Sequence, residues 1–252
     1  FVSPVVFGGD ARLQQSISAS DCETCRVGFN TAFYNTQGRK FDLPAGTRSS
    51  QIDLYIPSAW STSGKRMAGF WATAFDISDA VSAFPILEFT SDLSNPRFRA
   101  YETGTGTWID MGLPSGFTYD SWVTLKIDVL PSGEFRYSVN DLQAETSTSA
   151  PDASVRLANV ILQGHNTLAG VTYDIYWDNF TYSQIFANVV VTGALDCNVS
   201  SVSINVSAVG GQSPYSGEGT FTVGAGTYTY TVTDANSCSA SATTTVTASF
   251  AT

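Results

Sequence analysis

A run of apolar and β-branched residues near position 175 marks the longest predicted strand. Val171–Tyr182 contains no glycine or proline, and its aromatic content is typical of strands. Alternation divides its side chains between two faces: Ile175 and Trp177 against Tyr176, Asp178 and Phe180. Because neither face is simply polar, we expect it to close a β-sandwich, with neighbouring strands on both sides.

Earlier parts of the chain repeat the strand pattern between turns rich in Gly, Pro, Ser and Asn. The predicted strands are Ser50–Ile56, Met67–Phe75, Phe84–Phe89, Arg97–Tyr101, Trp122–Leu130, Glu134–Val139 and Val155–Gln163. The segment Leu130–Glu134 has the proline and glycine of a hairpin turn. Helical periodicity is weak throughout, so the sequence predicts an all-β protein.

Composition changes sharply after Tyr182. All five tryptophans and all twelve basic residues precede it, whereas the remainder is mostly Ser, Thr, Val, Ala and Gly. Such a break predicts a domain boundary. We expect one domain over 1–182, a linker over 183–188 and a second domain over 189–252.

The formal net charge of the chain is −10. It argues against nucleic acid and anionic membrane surfaces, which both attract basic patches. No apolar run approaches the ~18 residues that span a bilayer. The sequence opens at Phe1 without a methionine, which favours a processed protein that is secreted or held at a cell surface.

Four cysteines form one pair in each half of the chain. Even pairing favours two disulfides in an oxidising compartment, Cys22–Cys25 and Cys197–Cys238. The alternative for Cys22-x-x-Cys25 is a zinc or redox motif, although zinc prefers four ligands and the lone histidine, His165, lies far along the chain.

The first domain, ending Tyr-Asp-Ile-Tyr-Trp-Asp-Asn-Phe, resembles the concanavalin-A-like lectin/glucanase superfamily. That resemblance implies a jelly-roll β-sandwich and a function among lectins, glycan-binding modules, glycosidases and lyases. It also implies a structural Ca²⁺ between an early loop and the closing strand, where Asp10 and Asp178 fall. The other interpretation of Asp10 is that it caps a turn.

The second domain resembles the Ig-like repeat of Bacteroidota gliding-motility adhesins. The resemblance rests on Val209-Gly-Gly-Gln-Ser-Pro-Tyr215 and on the Ala-Gly-Thr-Tyr segment that leads to Cys238. It implies a small Ig-like β-sandwich that serves as a spacer or stalk.

Carboxylate spacing gives little support for catalysis. The Glu-x-Asp-x-Glu strand of jelly-roll glycosidases is absent, and Asp174 and Asp178 lie roughly 13 Å apart along one strand. The motif Gln163-Gly164-His165 resembles the Gln-x-His of jelly-roll alginate lyases, but their Tyr-Phe-Lys-Ala-Gly strand has no counterpart. We therefore predict that the protein is not an enzyme, and we keep a polysaccharide lyase as an alternative.

A glycan platform needs flat aromatic surface beside planar hydrogen-bonding groups. Alternation brings suitable side chains to corresponding faces of nearby strands, and the candidate ligand-binding residues are Trp71, Glu88, Arg97, Arg99, Tyr101 and His165. The competing interpretation places Trp71 in the core and pairs the arginines with acids on the solvent face.

Together these patterns predict an extracellular adhesin or a head-to-tail filament subunit of a bacterial surface. The expected partners are a polysaccharide or surface glycan, and further copies of the chain joined by strand addition at Phe1–Phe7 or Ser241–Phe250. The alternatives are a carbohydrate-binding module of a secreted polysaccharide-degrading system and the lyase.

Overall fold

The computed structural model describes residues 2–7, 10–18, 36–61, 67–92, 95–130, 132–141, 143–147, 155–165, 172–211, 213–235 and 238–248. Cys22 and Cys25, with the disulfide predicted between them, lie outside these residues. The side chain of Asp10 also lies outside what the structure describes.

The regular secondary structure of the described residues consists of strands and one 3-10 turn at Ser58–Trp60. In chain order the strands are β1 (Val2–Phe7), β2 (Asp10–Ile17), β3 (Thr36–Asp42), β4 (Ser49–Ile56), β5 (Met67–Phe75), β6 (Val81–Ala83), β7 (Ile86–Thr90), β8 (Arg97–Glu102), β9 (Thr107–Gly112), β10 (Ser121–Val129), β11 (Phe135–Val139), β12 (Gln143–Thr146), β13 (Arg156–His165), β14 (Tyr173–Ser183), β15 (Ile185–Thr192), β16 (Val202–Gly210), β17 (Gly219–Val223), β18 (Gly226–Thr233) and β19 (Ser239–Val246).

The chain divides into two compact units, the first formed by Phe1–Leu43 and Ser50–Tyr182 and the second by Pro44–Ser49 and Ser183–Thr252. In the first unit one sheet has the order β1-β2-β14-β4-β10-β11-β12 and the other the order β3-β13-β5-β7-β8-β9, with β6 paired to β5. Their inner faces share one hydrophobic core. The predicted all-β jelly-roll sandwich is confirmed.

Strand β14 lies inside the first sheet, between β2 and β4. Ile175 and Trp177 are fully buried, as alternation predicts. The prediction that Phe180 lies on the face opposite Ile175 and Trp177 is wrong, because its ring lies 6.5 Å from that of the core residue Phe70. Asn179 has φ +48°, a left-handed conformation that interrupts the alternation of the strand and turns Phe180 inward.

Gly164 brings the two sheets close together. A Cβ atom there would lie 2.5 Å from Cδ1 of Ile17 and 2.7 Å from Cδ1 of Ile175, both on the facing sheet. We expect Gly164→Ala to lower the free energy of unfolding by about 1–3 kcal/mol through overpacking. Urea unfolding measures the loss, and adding Ile17→Val and Ile175→Val should restore part of it. Native-like stability of Gly164→Ala would contradict the expected packing.

The second unit contains a three-stranded sheet, β15-β16-β17, and a two-stranded sheet, β18-β19. The predicted linker 183–188 belongs to strands instead, because β14 ends at Ser183 and β15 begins at Ile185. The physical reason is the apolar triplet Ile185-Phe186-Ala187, whose side chains are all buried. Ile185 and Ala187 belong to the hydrophobic core of the second unit.

Both terminal strands pair within their own units. Strand β1 pairs with β2, and β19 pairs with β18 over its whole length. A homopolymer joined by strand addition therefore stays a prediction that would require one of these strands to leave its place or to offer a free edge. In the described parts of the chain, no helix has the length and apolar character needed to span a bilayer.

Candidate functional site

The outer face of the second sheet carries most of the candidate residues. Alternation buries Ala68, Phe70 and Ala72 of β5 in the core, so Gly69 and Trp71 face outward. Antiparallel register aligns residues of six strands into a line that we call the polar row: Gly38, Gln163, Gly69, Glu88, Arg99 and Asp110. The adjacent line, the aromatic row, contains Ile161, Trp71, Ile86, Tyr101 and Trp108.

Glu88 forms the centre of the polar row and is fully buried. Arg99 Nη2 lies 2.6 Å from Glu88 Oε1, and its Nε donates to the same oxygen at 2.7 Å. Trp71 Nε1 donates to Glu88 Oε2 at 3.2 Å. Burial raises the pKa of the Glu88 carboxyl above its ordinary value, although the Arg99 guanidinium and the indole N–H oppose that rise.

Arg97 is bound by carboxylates on both sides. Its Nε donates to Asp110 Oδ1 at 2.7 Å, and its Nη1 donates to Asp92 Oδ1 at 2.6 Å. Asp92 Oδ2 also accepts a bond of 3.4 Å from Arg99 Nη1. Two guanidinium groups thus lie among three carboxylates, including Glu88, and the cluster has a formal excess of one negative charge.

Two tryptophans form the flat surface of the aromatic row. Trp71 lies over Gly69, where an added Cβ would come within 2.7 Å of the indole Nε1. The Arg99 guanidinium carbon lies 4.1 Å from the centroid of the Trp108 ring, and the Tyr101 ring meets Trp108 edge to face with centroids 5.2 Å apart. Both indoles are half-buried, so these contacts fix their orientation while part of each ring stays exposed.

Gln163 lies between Gly38 and Gly69 in the polar row. Only 3% of the residue is exposed, and its Nε2 has no hydrogen-bond partner in the part of the chain that the structure describes. A buried donor without an acceptor costs about 1–3 kcal/mol. A ligand hydroxyl or carbonyl that reached this donor would remove that cost, so we take Gln163 as a candidate binding residue.

His165 is two residues from Gln163 on β13 and is also buried. Its carbonyl oxygen accepts from the Tyr173 hydroxyl at 2.8 Å, which ties the end of β13 to β14. The polar row thus brings together Glu88 and Arg99 from the predicted set, with Arg97 held beside them. Trp71 and Tyr101 belong to the aromatic row, and His165 lies toward the end of the strand.

The structure adds Asp92 and Asp110 to the predicted set, and it brings to the same face Trp108 and Gln163, which the sequence offered only as part of the Gln163-Gly164-His165 motif. Both interpretations of the face hold in part, because the arginines are paired with acids while Trp71 faces outward rather than into the core. Gln163 could have been found from alternation along β13. Asp110 depends on the pairing of β8 with β9, where a bulge between Phe98 and Arg99 shifts the register.

Asp178, one of the two predicted calcium ligands, is ion-paired. Arg12 Nη1 lies 2.7 Å from its Oδ2. Within the described residues no group of three or more His, Cys, Asp or Glu side chains could hold a metal ion. A calcium ion between Asp10 and Asp178 stays a prediction, and Arg12 would compete with the ion for the Asp178 carboxylate.

The predicted Cys197–Cys238 disulfide is not formed, since both cysteines are free and exposed. Cys238 directly precedes β19, whereas Leu195, near Cys197, pairs with Ala248 beyond the other end of that strand. A strand of this length separates its two ends by roughly 25 Å, and a disulfide needs Cα atoms within about 7 Å. The two cysteines therefore lie near opposite ends of β19, too far apart to form a disulfide.

No protein-family model and no curated protein matches the chain. The solved structures to which it is similar include an alginate lyase from Chlorella virus, with 12% identity over 71% of this chain and 88% of that chain and a TM-score of 0.42. They also include a tetrameric galectin from the ball sponge Cinachyrella sp. (10% identity, 58% of this chain, 99% of that chain, TM-score 0.39). A third is a family 16 glycoside hydrolase, an endo-glucanase from Bacteroides ovatus (11% identity, 57% of this chain, 71% of that chain, TM-score 0.35).

The prediction that the protein is not an enzyme is contradicted, because a lyase and a hydrolase are among these similar structures. The absence of the Glu-x-Asp-x-Glu strand excludes one catalytic arrangement of carboxylates, but it does not exclude other kinds of enzyme. At these identities and TM-scores the comparisons carry no argument about a ligand, and the resemblance of the second unit to an Ig-like repeat stays a prediction.

Proposed function

We propose that the outer face of the second sheet binds a neutral glycan and that the protein is a secreted or cell-surface glycan-binding adhesin. The observation that carries the proposal is the buried Nε2 of Gln163, which has no hydrogen-bond partner among the described residues, close to the half-buried indole of Trp71. A sugar ring offers hydroxyl acceptors for such a donor and an apolar face for an indole.

Charge favours a neutral sugar over a uronate. Arg97 and Arg99 are the cations of the face nearest to Trp108, and each already pairs with two carboxylates, while Lys40 at the β3 end of the face pairs with Asp42. An incoming carboxylate would meet the excess negative charge of the cluster without a free guanidinium. The site therefore suits hydroxyl-rich, uncharged chains.

Loss of the flat surface or of the buried donor should weaken glycan binding without unfolding the protein. We expect Trp108→Ala and Gln163→Leu each to weaken glycan binding at least tenfold, because the first removes part of the flat surface of the aromatic row and the second removes the buried donor assigned to a sugar hydroxyl. Affinity electrophoresis against neutral β-glucans, galactans and mannans, with alginate and pectin alongside, measures the effect.

The matched control is Trp122→Ala, which removes a half-buried tryptophan from β10 in the other sheet. It should bind as the native chain does. Equal losses in Trp108→Ala and Trp122→Ala, or stronger binding of the uronates than of every neutral chain, would contradict the proposed face. Adhesion of coated beads to glycan surfaces then tests the role at the cell surface.

A further inference from the structure

A cavity of about 380 Å³ lies between the two sheets of the jelly roll, away from the outer face that carries the polar row. Its apolar lining includes Leu13, Ile52, Leu162 and Trp177, and the rings of Phe41 and Phe180 form a wall. Leu162 and Gln163 are neighbours in β13, so alternation directs one toward this cavity and the other toward the polar row.

The cavity owes its shape to the left-handed residue in β14. Asn179 has φ +48°, and its Nδ2 donates to Asp53 Oδ2 at 2.7 Å. The Phe180 ring that follows lies 6.4 Å from the Phe41 ring and remains 38% exposed. Asn adopts this left-handed conformation more readily than most other non-glycine residues.

Size and charge define what the cavity accepts. Small-molecule pockets usually have volumes of about 300–1,000 Å³ and mostly apolar walls, and an apolar cavity of about 150 Å³ is enough for benzene. The charged residues at the lining, Arg12 and Asp178, form an ion pair 2.7 Å apart. Because these two charges neutralise each other, neither is left to pair with the charge of a ligand. A charged head group buried in the cavity would therefore stay uncompensated.

We propose that this cavity binds an uncharged apolar small molecule, of the size of a two-ring aromatic compound or a medium-length acyl chain. This site is independent of the glycan face, and the two can fail separately.

N-phenyl-1-naphthylamine, an uncharged probe that fluoresces in apolar surroundings, tests the site on the full chain. We expect saturable binding by the native protein, displacement by decanol, and at least tenfold weaker displacement by decanoate. Ala11 is exposed and lines the cavity, so Ala11→Phe should fill it from the surface and weaken probe binding at least tenfold.

The matched control is Ser16→Phe, which adds the same ring at an exposed position of β2 whose side chain faces the opposite side of the strand. It should bind the probe as the native chain does. A second variant, Phe180→Ala, removes part of the wall and should weaken binding without blocking the cavity. Probe and decanol should also raise the melting temperature of the native chain and not that of Ala11→Phe.

Absence of saturable binding by the native chain overturns the proposal, as does equal binding by Ala11→Phe. Decanoate that displaces the probe as well as decanol overturns the assignment to uncharged ligands. Trp108→Ala should keep native probe affinity, and this separates failure of the cavity from failure of the glycan face.

Discussion

The Arg99→Met variant is expected to lose about 3–5 kcal/mol of unfolding free energy at neutral pH, since removing one partner of a buried ion pair leaves the other charge uncompensated. Glu88 is fully buried, and Arg99 supplies both of its closest cationic contacts. Trp71 would still donate its N–H to Glu88, but a neutral donor cannot replace a guanidinium. Urea unfolding followed by tryptophan fluorescence measures the loss in the first unit alone, because that unit contains all five tryptophans.

A double variant separates the ion pair from the loss of packing. Glu88→Gln/Arg99→Met removes both charges at similar volume and should recover much of the deficit of Arg99→Met. If the double variant is as unstable as Arg99→Met, the deficit comes from the lost contacts of Arg99 with Trp108 and Asp92 rather than from the stranded carboxylate.

The deficit of Arg99→Met should shrink as the pH is lowered toward about 4. Burial raises the pKa of Glu88 in the folded protein, so the folded state holds this proton more tightly than the unfolded state does. The stability that this group contributes is therefore present at low pH and is lost as the pH rises from the ordinary glutamate range through the raised folded pKa. A deficit that does not change with pH would contradict a stranded Glu88 carboxylate as the cause of the instability.

Strands with strong apolar alternation could be predicted from the sequence almost to the residue. Met67–Phe75 was predicted with the bounds that β5 has, and Arg97–Tyr101 is one residue shorter than β8. Strands β3 and β9 were missed because each lies at a sheet edge and has too few apolar residues to show a clear alternation. Edge strands need fewer apolar side chains, so their pattern is weak.

Site geometry was harder to predict than strand positions, for a physical reason. Glu88 and Arg99 could be placed near each other because alternation fixes the face of each. The partners of Arg97 could not, since Asp92 lies just after β7 and Asp110 reaches Arg97 only through the shifted register of β8 and β9. The Cys197–Cys238 pairing failed for a similar reason, because an even count of cysteines says nothing about how far apart the fold places them.

The Trp177→Ala variant is expected to lose about 3–5 kcal/mol of unfolding free energy, the usual cost of truncating a buried aromatic residue. Trp177 is fully buried between the sheets, and its Nε1 donates to Oε1 of the buried Gln15 at 3.2 Å. Trp177→Phe keeps much of the volume but leaves the Gln15 oxygen without that donor, so we expect a smaller loss of about 1–3 kcal/mol.

Adding Gln15→Leu to Trp177→Phe replaces both polar partners by apolar groups, and this should recover most of the smaller loss. Trp122→Ala is the matched control on the same sheet: it removes a half-buried indole at the outer face and should cost much less than Trp177→Ala. Equal losses for Trp122→Ala and Trp177→Ala in urea unfolding, followed by circular dichroism, would contradict a core built around β14. Recovery by Gln15→Leu would instead show that the indole N–H and the packing of the ring contribute separately to holding this strand in the sandwich.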